Sequence, residues 1–193
     1  RVTRVGSPSM IRSFDFSPAG EFSRVTLMQR PFSYVVPVTS FGRTEQIWDR
    51  TGSMLAEIDV TELNTGLRGA PSAPGVGGDE EEPDRRQLAW REDGAGLTFL
   101  QQEAAEDEEA EEDSDRGGRD GGDRQPDRVM LWSAPFGEDN VTVVYESSQR
   151  LASHRFSPDH NMLFLSRRPQ DGGFGSPAAR GTVTEFAVDL SDP

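Results

Sequence analysis

The sequence predicts an all-β fold, a partial β-propeller of about three four-stranded antiparallel blades. Three observations lead to this prediction. A short strand phrase occurs three times, each copy ends in an aromatic residue and a tight polar turn, and an apolar strand follows each turn. The copies occupy residues 13–20, 87–94 and 153–160. Self-similarity of this kind is typical of architectures that repeat one supersecondary unit.

Each copy begins a hairpin, which supplies the first two strands of its unit. The apolar second strands fall at residues 24–28, 96–100 and 161–165. The turns between the strands contain Pro, Asp and Gly, residues that suit tight turns because of their backbone geometry. His160 stands where the other copies have Gly20 and Gly94, which predicts a left-handed backbone at this position.

Third and fourth strands follow the hairpins. Apolar and aromatic residues alternate at residues 45–49, 128–133 and 181–188, and again at 54–58 and 141–145. Period-two alternation between turn residues indicates strands rather than helices. The resulting blade-like units span residues 11–66, 85–148 and 150–193.

Two low-complexity inserts separate the strands, at residues 69–84 and 103–127. Both are rich in Gly, Pro and acidic residues and have few large apolar side chains. Such segments bury too little apolar surface to offset the entropy of ordering, so we expect disordered acidic inserts. Without them each unit has about 51 residues, which is within reach of a propeller blade with long loops.

The number of units predicts that residues 1–193 are a segment of a larger β-propeller domain. Propellers close with about four to eight blades, and three blades leave two sheet edges open. The ends of the sequence agree with this expectation. Residue 1 is not an initiator Met, no signal peptide follows it, and the last residues come where a fourth strand of the third unit is due.

Composition excludes several classes of function. The chain has no Cys, which excludes disulfides, thiolate zinc sites and Cys nucleophiles. A formal net charge of −14 argues against a nucleic-acid partner, because phosphate binding requires clustered cations. No run of about 18 apolar residues is present, so we expect no membrane span.

Catalytic motifs are not found in the sequence. An α/β-hydrolase needs a G-x-S-x-G nucleophile elbow, and the nearest segment, residues 173–177, lacks the final Gly and is interpreted as a surface loop. His154 and His160 flank the third hairpin turn, and we predict a structural role for both. We therefore expect no catalytic residue in this chain.

The acidic insert has the residue types of a calcium site but not the pattern. Carboxylates suit calcium, but the spacing of the Asp residues does not fit an EF-hand and Arg side chains lie between them. Solvated carboxylates are the simpler interpretation. We predict no metal site and no cofactor.

One segment, residues 29–42, is neither repeat nor low complexity. It combines two prolines, three aromatic residues and Arg30 between the second and third strands. Pro31 and Pro37 restrict the backbone, so we predict a stiff projecting loop that is a candidate for ligand contact.

Four motifs in a fixed order resemble a known family. They read R-P-F-S-Y-V-V-P-V-x-x-F, I-W-D-R-x-G, R-Q-L-A-W-R-E-D and D-R-V-M-L-W-S-A-P-F. This order resembles the β-propeller of glutamyl endopeptidase-like members of the prolyl oligopeptidase family of serine peptidases. The resemblance extends from about residue 11 to residue 168, and the inserts have no counterpart in it.

The resemblance implies that this chain is part of a two-domain serine peptidase. In that family an N-terminal propeller covers a C-terminal α/β-hydrolase domain and limits which peptides reach the catalytic Ser, Asp and His. None of the hydrolase motif positions occurs here, so the hydrolase domain is absent from this chain and the chain alone should be inactive. The partners implied are that hydrolase domain and a peptide substrate, and the resemblance favours a periplasmic or extracytoplasmic location.

Within this interpretation, Arg30 and Tyr34 are the candidate substrate-binding residues. Arg side chains bind carboxylates in bidentate geometry, so Arg30 would suit an acidic peptide, with Tyr34 as a hydrogen-bonding neighbour. The bare repeat equally allows a stand-alone or TolB-like propeller that binds a protein or a glycan. A hydrolase elbow encoded downstream would separate the two hypotheses.

Overall fold

The computed structural model describes residues 5, 7–32, 34, 36–63, 85–102, 126–167 and 183–191. Within these ranges the chain forms eleven β-strands and two short 3-10 helices and no α-helix. The strands make three antiparallel sheets, which confirms the predicted all-β fold class with three blade-like sheets.

Each sheet follows the order of its strands along the chain. Sheet I contains β1 (Ile11–Phe16), β2 (Phe22–Met28), β3 (Arg43–Asp49) and β4 (Met54–Thr61). Sheet II contains β5 (Arg86–Trp90), β6 (Leu97–Gln102), β7 (Asp127–Trp132) and β8 (Val141–Ser147). Sheet III contains β9 (Leu151–Phe156), β10 (Met162–Arg167) and β11 (Thr184–Asp189). The 3-10 helices are Val38–Ser40 and Glu138–Asn140.

All three hairpin turns use the same hydrogen-bond frame. The amide N–H of the residue after each first strand donates to a carbonyl at the start of the next strand or just before it, at 2.9 Å in every case: Ser17 to Phe22, Arg91 to Gly96, and Ser157 to Met162. The turn residue three positions later has a left-handed backbone, with φ of 67° at Gly20, 78° at Gly94 and 59° at His160. The prediction for His160 is therefore confirmed.

The chain divides into two compact units. The first comprises Arg1–Glu80, Ala89–Leu97 and Trp132–Val141, and the second comprises Glu81–Leu88, Thr98–Leu131 and Thr142–Pro193. Sheet I lies in the first unit, sheet III lies in the second, and the strands of sheet II contribute residues to both.

Aromatic side chains gather around Phe136 in the first unit. Phe136 is 3% exposed, and its ring centroid lies 5.0 Å from Phe22, 5.9 Å from Trp132 and 6.1 Å from Trp90. The indole N–H groups of both tryptophans are also used, because Trp132 donates to the Gly137 carbonyl at 2.9 Å and Trp90 to the Asp15 carbonyl at 3.4 Å. Edge-to-face ring contacts of this kind add to the free energy gained by burying the rings.

Aliphatic side chains form the core of the second unit. Its buried members are Leu100, Val129, Leu151, Leu163 and Leu165. Partly buried side chains from sheets II and III pack around them, among them Tyr145, Phe156 and Phe186. Burial of this apolar surface is the main stabilising contribution here.

Asp127 corrects one boundary predicted from the sequence. Composition assigns it to the end of the acidic insert, but it is the first residue of β7 and is 0% exposed. Its carboxylate lies 2.6 Å from the Arg86 guanidinium and accepts the backbone N–H of Leu151 at 2.7 Å. A buried carboxylate needs such partners, and composition averaged over the insert does not reveal them. The first insert, residues 69–84, and residues 103–125 of the second insert lie outside the described residues. The predicted surface loop at residues 173–177 also lies outside them.

Candidate functional site

The loop between β2 and β3 is closed tightly at its base. The Gln29 backbone N–H donates to the Gly42 carbonyl at 2.7 Å, and the Gln29 side-chain amide donates to the Thr44 hydroxyl. Gly42 is buried, and a Cβ there would lie 3.3 Å from the Thr61 carbonyl oxygen and 3.4 Å from the Leu63 nitrogen. Glycine therefore lets the loop return close to the end of β4.

Aromatic and cationic contacts order the described part of the loop. Phe32 stacks on Phe41 with ring centroids 5.6 Å apart, just after the Val38–Ser40 turn. The Arg30 guanidinium carbon lies 5.9 Å from the centroid of the Phe32 ring, within the range of a cation–π contact. The loop thus holds the Arg30 side chain against an aromatic surface.

An open groove of about 740 Å³ lies beside this loop. Its lining residues combine apolar side chains with amides, hydroxyls and one guanidinium: Pro8, Ser9, Met10, Leu27, Met28, Gln29, Arg30, Phe32, Thr44 and Gln46. Among the described residues that line it, Arg30 carries the one charge. Such a groove can take an extended apolar chain and bind one carboxylate.

The two predicted site residues, Arg30 and Tyr34, lie in different surroundings. Arg30 lines the groove, whereas Tyr34 is fully exposed and is not among the described lining residues. Gln29, which belongs to the predicted loop at residues 29–42, also lines the groove. Thr44 and Gln46 line it as well, although the sequence analysis did not predict them as site residues. Thr44 and Gln46 alternate along β3 and pair with Leu27 and Val25, so they share one face of sheet I. The polar residues at alternate positions of β3 could have indicated the groove, but this alternation is also typical of a solvent-facing strand.

The two histidines lie outside this groove, at the third hairpin. His154 Nε2 lies 2.9 Å from the Thr98 hydroxyl, and burial lowers the pKa of His154 from 6.5 to about 4. The ring is therefore neutral near pH 7. His160 occupies the left-handed turn position. A structural role for both residues stays a prediction.

The described residues also bear on metal binding and membrane insertion. No group of three or more His, Cys, Asp or Glu side chains that could hold a metal ion occurs in the described part of the chain. None of the helices described there is long and apolar enough to cross a membrane.

Comparison with known proteins finds similarity in sequence to a plant protein. No protein-family model matches the chain. The chain is 26% identical over 98 residues to a probable chloroplastic glutamyl endopeptidase of Oryza sativa subsp. japonica. The match covers 51% of this chain and spans 10% of the length of the rice protein. This similarity supports a peptidase-related domain.

Among solved structures, the chain is similar to prolyl oligopeptidase B from Galerina marginata. One such structure holds a 35mer hydrolysis and macrocyclization substrate, with 16% identity and a TM-score of 0.39. Another holds a 25mer macrocyclization substrate, with 17% identity and a TM-score of 0.39. Each match covers 81% of this chain and 18% of the other chain.

Proposed function

We propose that this chain is the non-catalytic propeller segment of a glutamyl endopeptidase-like serine peptidase. In this proposal it gates and helps to bind peptide substrates for a C-terminal α/β-hydrolase domain of the same polypeptide. The observation that carries the proposal is the groove with Arg30 as its charged described residue, in a chain similar in sequence to a probable glutamyl endopeptidase.

The chemistry of the groove favours an acidic peptide. A guanidinium offers paired N–H donors to a carboxylate, and charge-assisted hydrogen bonds are stronger than neutral ones. No carboxylate of the described residues forms an ion pair with Arg30. The Gln29 amide donates to Thr44, and the Gln46 amide oxygen accepts the Trp48 indole N–H. The Gln46 NH2 group therefore remains to bind peptide backbone, and Leu27 and Phe32 offer apolar surface. The side chain of Arg30 is exposed, so water and salt weaken its attraction for a carboxylate.

Fluorophosphonate labelling of the longer gene product tests where catalysis resides. We expect one serine to be modified, and peptide mapping should place it outside residues 1–193. The 193-residue chain alone should not react. A labelled serine within residues 1–193, or no labelling of the longer product, would contradict the proposal and leave a binding module as the better interpretation.

Substitution of Arg30 tests the role of the groove. In the longer product, Arg30→Ala should lower kcat/KM about threefold for a peptide with Glu at the cleaved position, because one exposed charge-assisted contact is lost. A peptide with Gln at that position should be affected much less. Arg50→Ala removes an exposed Arg in the turn after β3 and serves as the matched control. Equal activity of Arg30→Ala and the unchanged protein on the Glu peptide would remove Arg30 from the proposal.

A further inference from the structure

Arg30 brings a positive charge to the groove beside the β2–β3 loop. Its side chain is exposed, and no carboxylate of the described residues forms an ion pair with it. Its guanidinium carbon lies 5.9 Å from the centroid of the Phe32 ring. Contact with a ring uses no carboxylate acceptor, so the guanidinium N–H groups can still bind one. The groove therefore suits an acidic segment from any source, including this chain itself.

The first insert contains such an acidic segment. Residues 79–82 read Asp-Glu-Glu-Glu, which gives four consecutive carboxylates. Residues 69–78, which precede them, are Gly, Ala, Pro, Ser and Val and carry no charge. Small neutral residues thus separate the acidic run from the end of sheet I.

The chain leaves sheet I toward this insert at a point next to the groove. A Cβ on Gly42 would lie 3.4 Å from the Leu63 nitrogen and 3.5 Å from the Gln29 Cβ, and Gln29 lines the groove. Leu63 is the last described residue before the insert. Asp79 follows Leu63 by 16 residues, and a chain of that length spans at most about 50 Å. So short a connection gives the acidic run a high effective concentration at the groove.

Charge alone does not single out the first insert. Residues 106–109 of the second insert read Glu-Asp-Glu-Glu and carry the same four charges. The distinguishing feature of the first insert is that it begins just after Leu63, next to the Gln29 side of the groove. Residues 106–109 therefore provide a control that is matched in charge.

We propose that residues 79–82 bind in the Arg30 groove and compete there with acidic peptide substrates. A carboxylate of the run accepts the Arg30 N–H groups, as the carboxylate of a substrate would. The contact is autoinhibitory, since it occupies the groove that binds substrate. This consequence rests on the proposed peptidase function, whereas the contact itself does not.

The exposure of Arg30 makes this contact weak and reversible. Water and salt reduce the attraction between an exposed guanidinium and a carboxylate. Four consecutive carboxylates offset part of this weakness, because any of them can meet Arg30. Peptide binds only the fraction of molecules whose groove is not occupied, so the contact raises KM and leaves kcat unchanged.

Chemical coupling in the 193-residue chain tests the contact without any peptidase activity. The chain has no Lys, so Arg30→Lys places its one side-chain amine in the groove. A zero-length carbodiimide joins this amine to a carboxylate in contact, and mass spectrometry identifies the pair. We expect coupling to residues 79–82, and much less of it at high salt. Arg50→Lys is the control and should not couple to them. No coupling, equal coupling from Arg50→Lys, or preferential coupling to residues 106–109 would overturn the proposal.

Kinetics of the longer gene product test the inhibition. Neutralising the run should lower KM for the Glu peptide about twofold at low salt without changing kcat, by Asp79→Asn, Glu80→Gln, Glu81→Gln and Glu82→Gln. The same neutralisation should change KM much less when Arg30→Ala is also present, because the carboxylates then lack their partner.

The matched control neutralises the second insert and should leave KM unchanged: Glu106→Gln, Asp107→Asn, Glu108→Gln and Glu109→Gln. Equal changes of KM in the two neutralised proteins, or no change in either, would overturn the inhibition. A longer product that cleaves no peptide would instead contradict the proposed function, and the coupling experiment would then decide the contact by itself.

Discussion

The two units of the chain use the same repeat positions but different side-chain chemistry. Around Phe136 the first unit is aromatic, and the indole N–H groups there donate to backbone carbonyls. The second unit has an aliphatic core bordered by the buried pair of Arg86 and Asp127 and by the bond between His154 and Thr98. The repeat thus fixes where contacts occur, while the residue at each position decides what stabilises them. We expect the second unit to respond to charge and pH, and the first to respond to side-chain volume.

Removal of the buried carboxylate should have the largest effect. Asp127→Ala leaves the Arg86 guanidinium and the Leu151 N–H without their partner, so we expect the free energy of unfolding to fall by about 4 kcal/mol. Chemical denaturation measures this change. Asp139→Ala, at an exposed position, is the control and should change the free energy by less than about 0.5 kcal/mol.

A second variant shows whether the loss comes from charge or from packing. Arg86→Met combined with Asp127→Leu removes both charges and should recover part of the lost stability, because no unpaired charge remains while the Leu151 N–H still lacks the carboxylate acceptor. If Asp127→Ala cost less than about 1 kcal/mol, the charged contact would not distinguish the second unit.

Removal of the Phe136 ring should cause the second largest loss in the free energy of unfolding. Phe136→Ala removes a ring that touches Phe22, Trp90 and Trp132, and we expect a loss of about 3 kcal/mol in the free energy of unfolding. Tryptophan fluorescence should change as well, since both indoles lose a neighbour. Val143→Ala, at an exposed apolar position, should have little effect. Equal losses for the two variants would contradict a core centred on Phe136.

Two glycines of the second hairpin differ in how closely other residues approach them. A Cβ on Gly96 would lie 2.2 Å from the Trp132 carbonyl oxygen, and its φ is 152°. Gly94 has φ of 78° and nothing within 4 Å of its added Cβ. Gly96→Ala should therefore destabilise the chain by about 2 kcal/mol more than Gly94→Ala in thermal or chemical unfolding. Similar losses of stability for the two variants would contradict this expectation. They would mean that the backbone near Gly96 moves away from the Trp132 carbonyl with little loss of stability.

The smallest effect should come from His154 and should depend on pH. Burial lowers the pKa of this ring to about 4, so folding keeps it neutral down to that pH, whereas the unfolded chain takes up the proton near the ordinary value of 6.5. The contribution of His154 to the free energy of unfolding is fully present above pH 6.5. It is lost as the pH falls toward 4, by on the order of 1 to 2 kcal/mol.

His154→Leu isolates this contribution, since Leu88 occupies the equivalent position in sheet II. The unchanged chain should lose more stability than the variant when the pH is lowered from 7 to about 4.5, within the range where the two pKa values differ. Comparison of the two chains removes the contribution of carboxylates, which titrate in both. Parallel losses would show that His154 is not kept neutral by burial.

Much of this fold can be predicted from the sequence, because the patterns that determine each hairpin involve residues that are close in sequence. Alternation and turn residues determine each hairpin, and the left-handed position of His160 follows from its match to Gly20 and Gly94. The role of Asp127 cannot be predicted in this way, because it depends on Arg86 and Leu151, which are distant in sequence.

The groove was predictable only in part, for a similar reason. Arg30 stands out because the loop that carries it is unlike the rest of the chain. Thr44 and Gln46 do not stand out, since polar residues on alternate strand positions do not show which face is enclosed.

Hydrolysis of peptides with Glu, Pro or Ala at the cleaved position tests whether this chain is a non-catalytic segment of a peptidase. The 193-residue chain and the longer gene product should be assayed side by side with the same fluorogenic peptides. We expect the longer product to cleave the Glu peptide and the 193-residue chain to cleave none. Cleavage by the 193-residue chain, or an inactive longer product, would contradict the proposal that this chain is a non-catalytic segment of a peptidase.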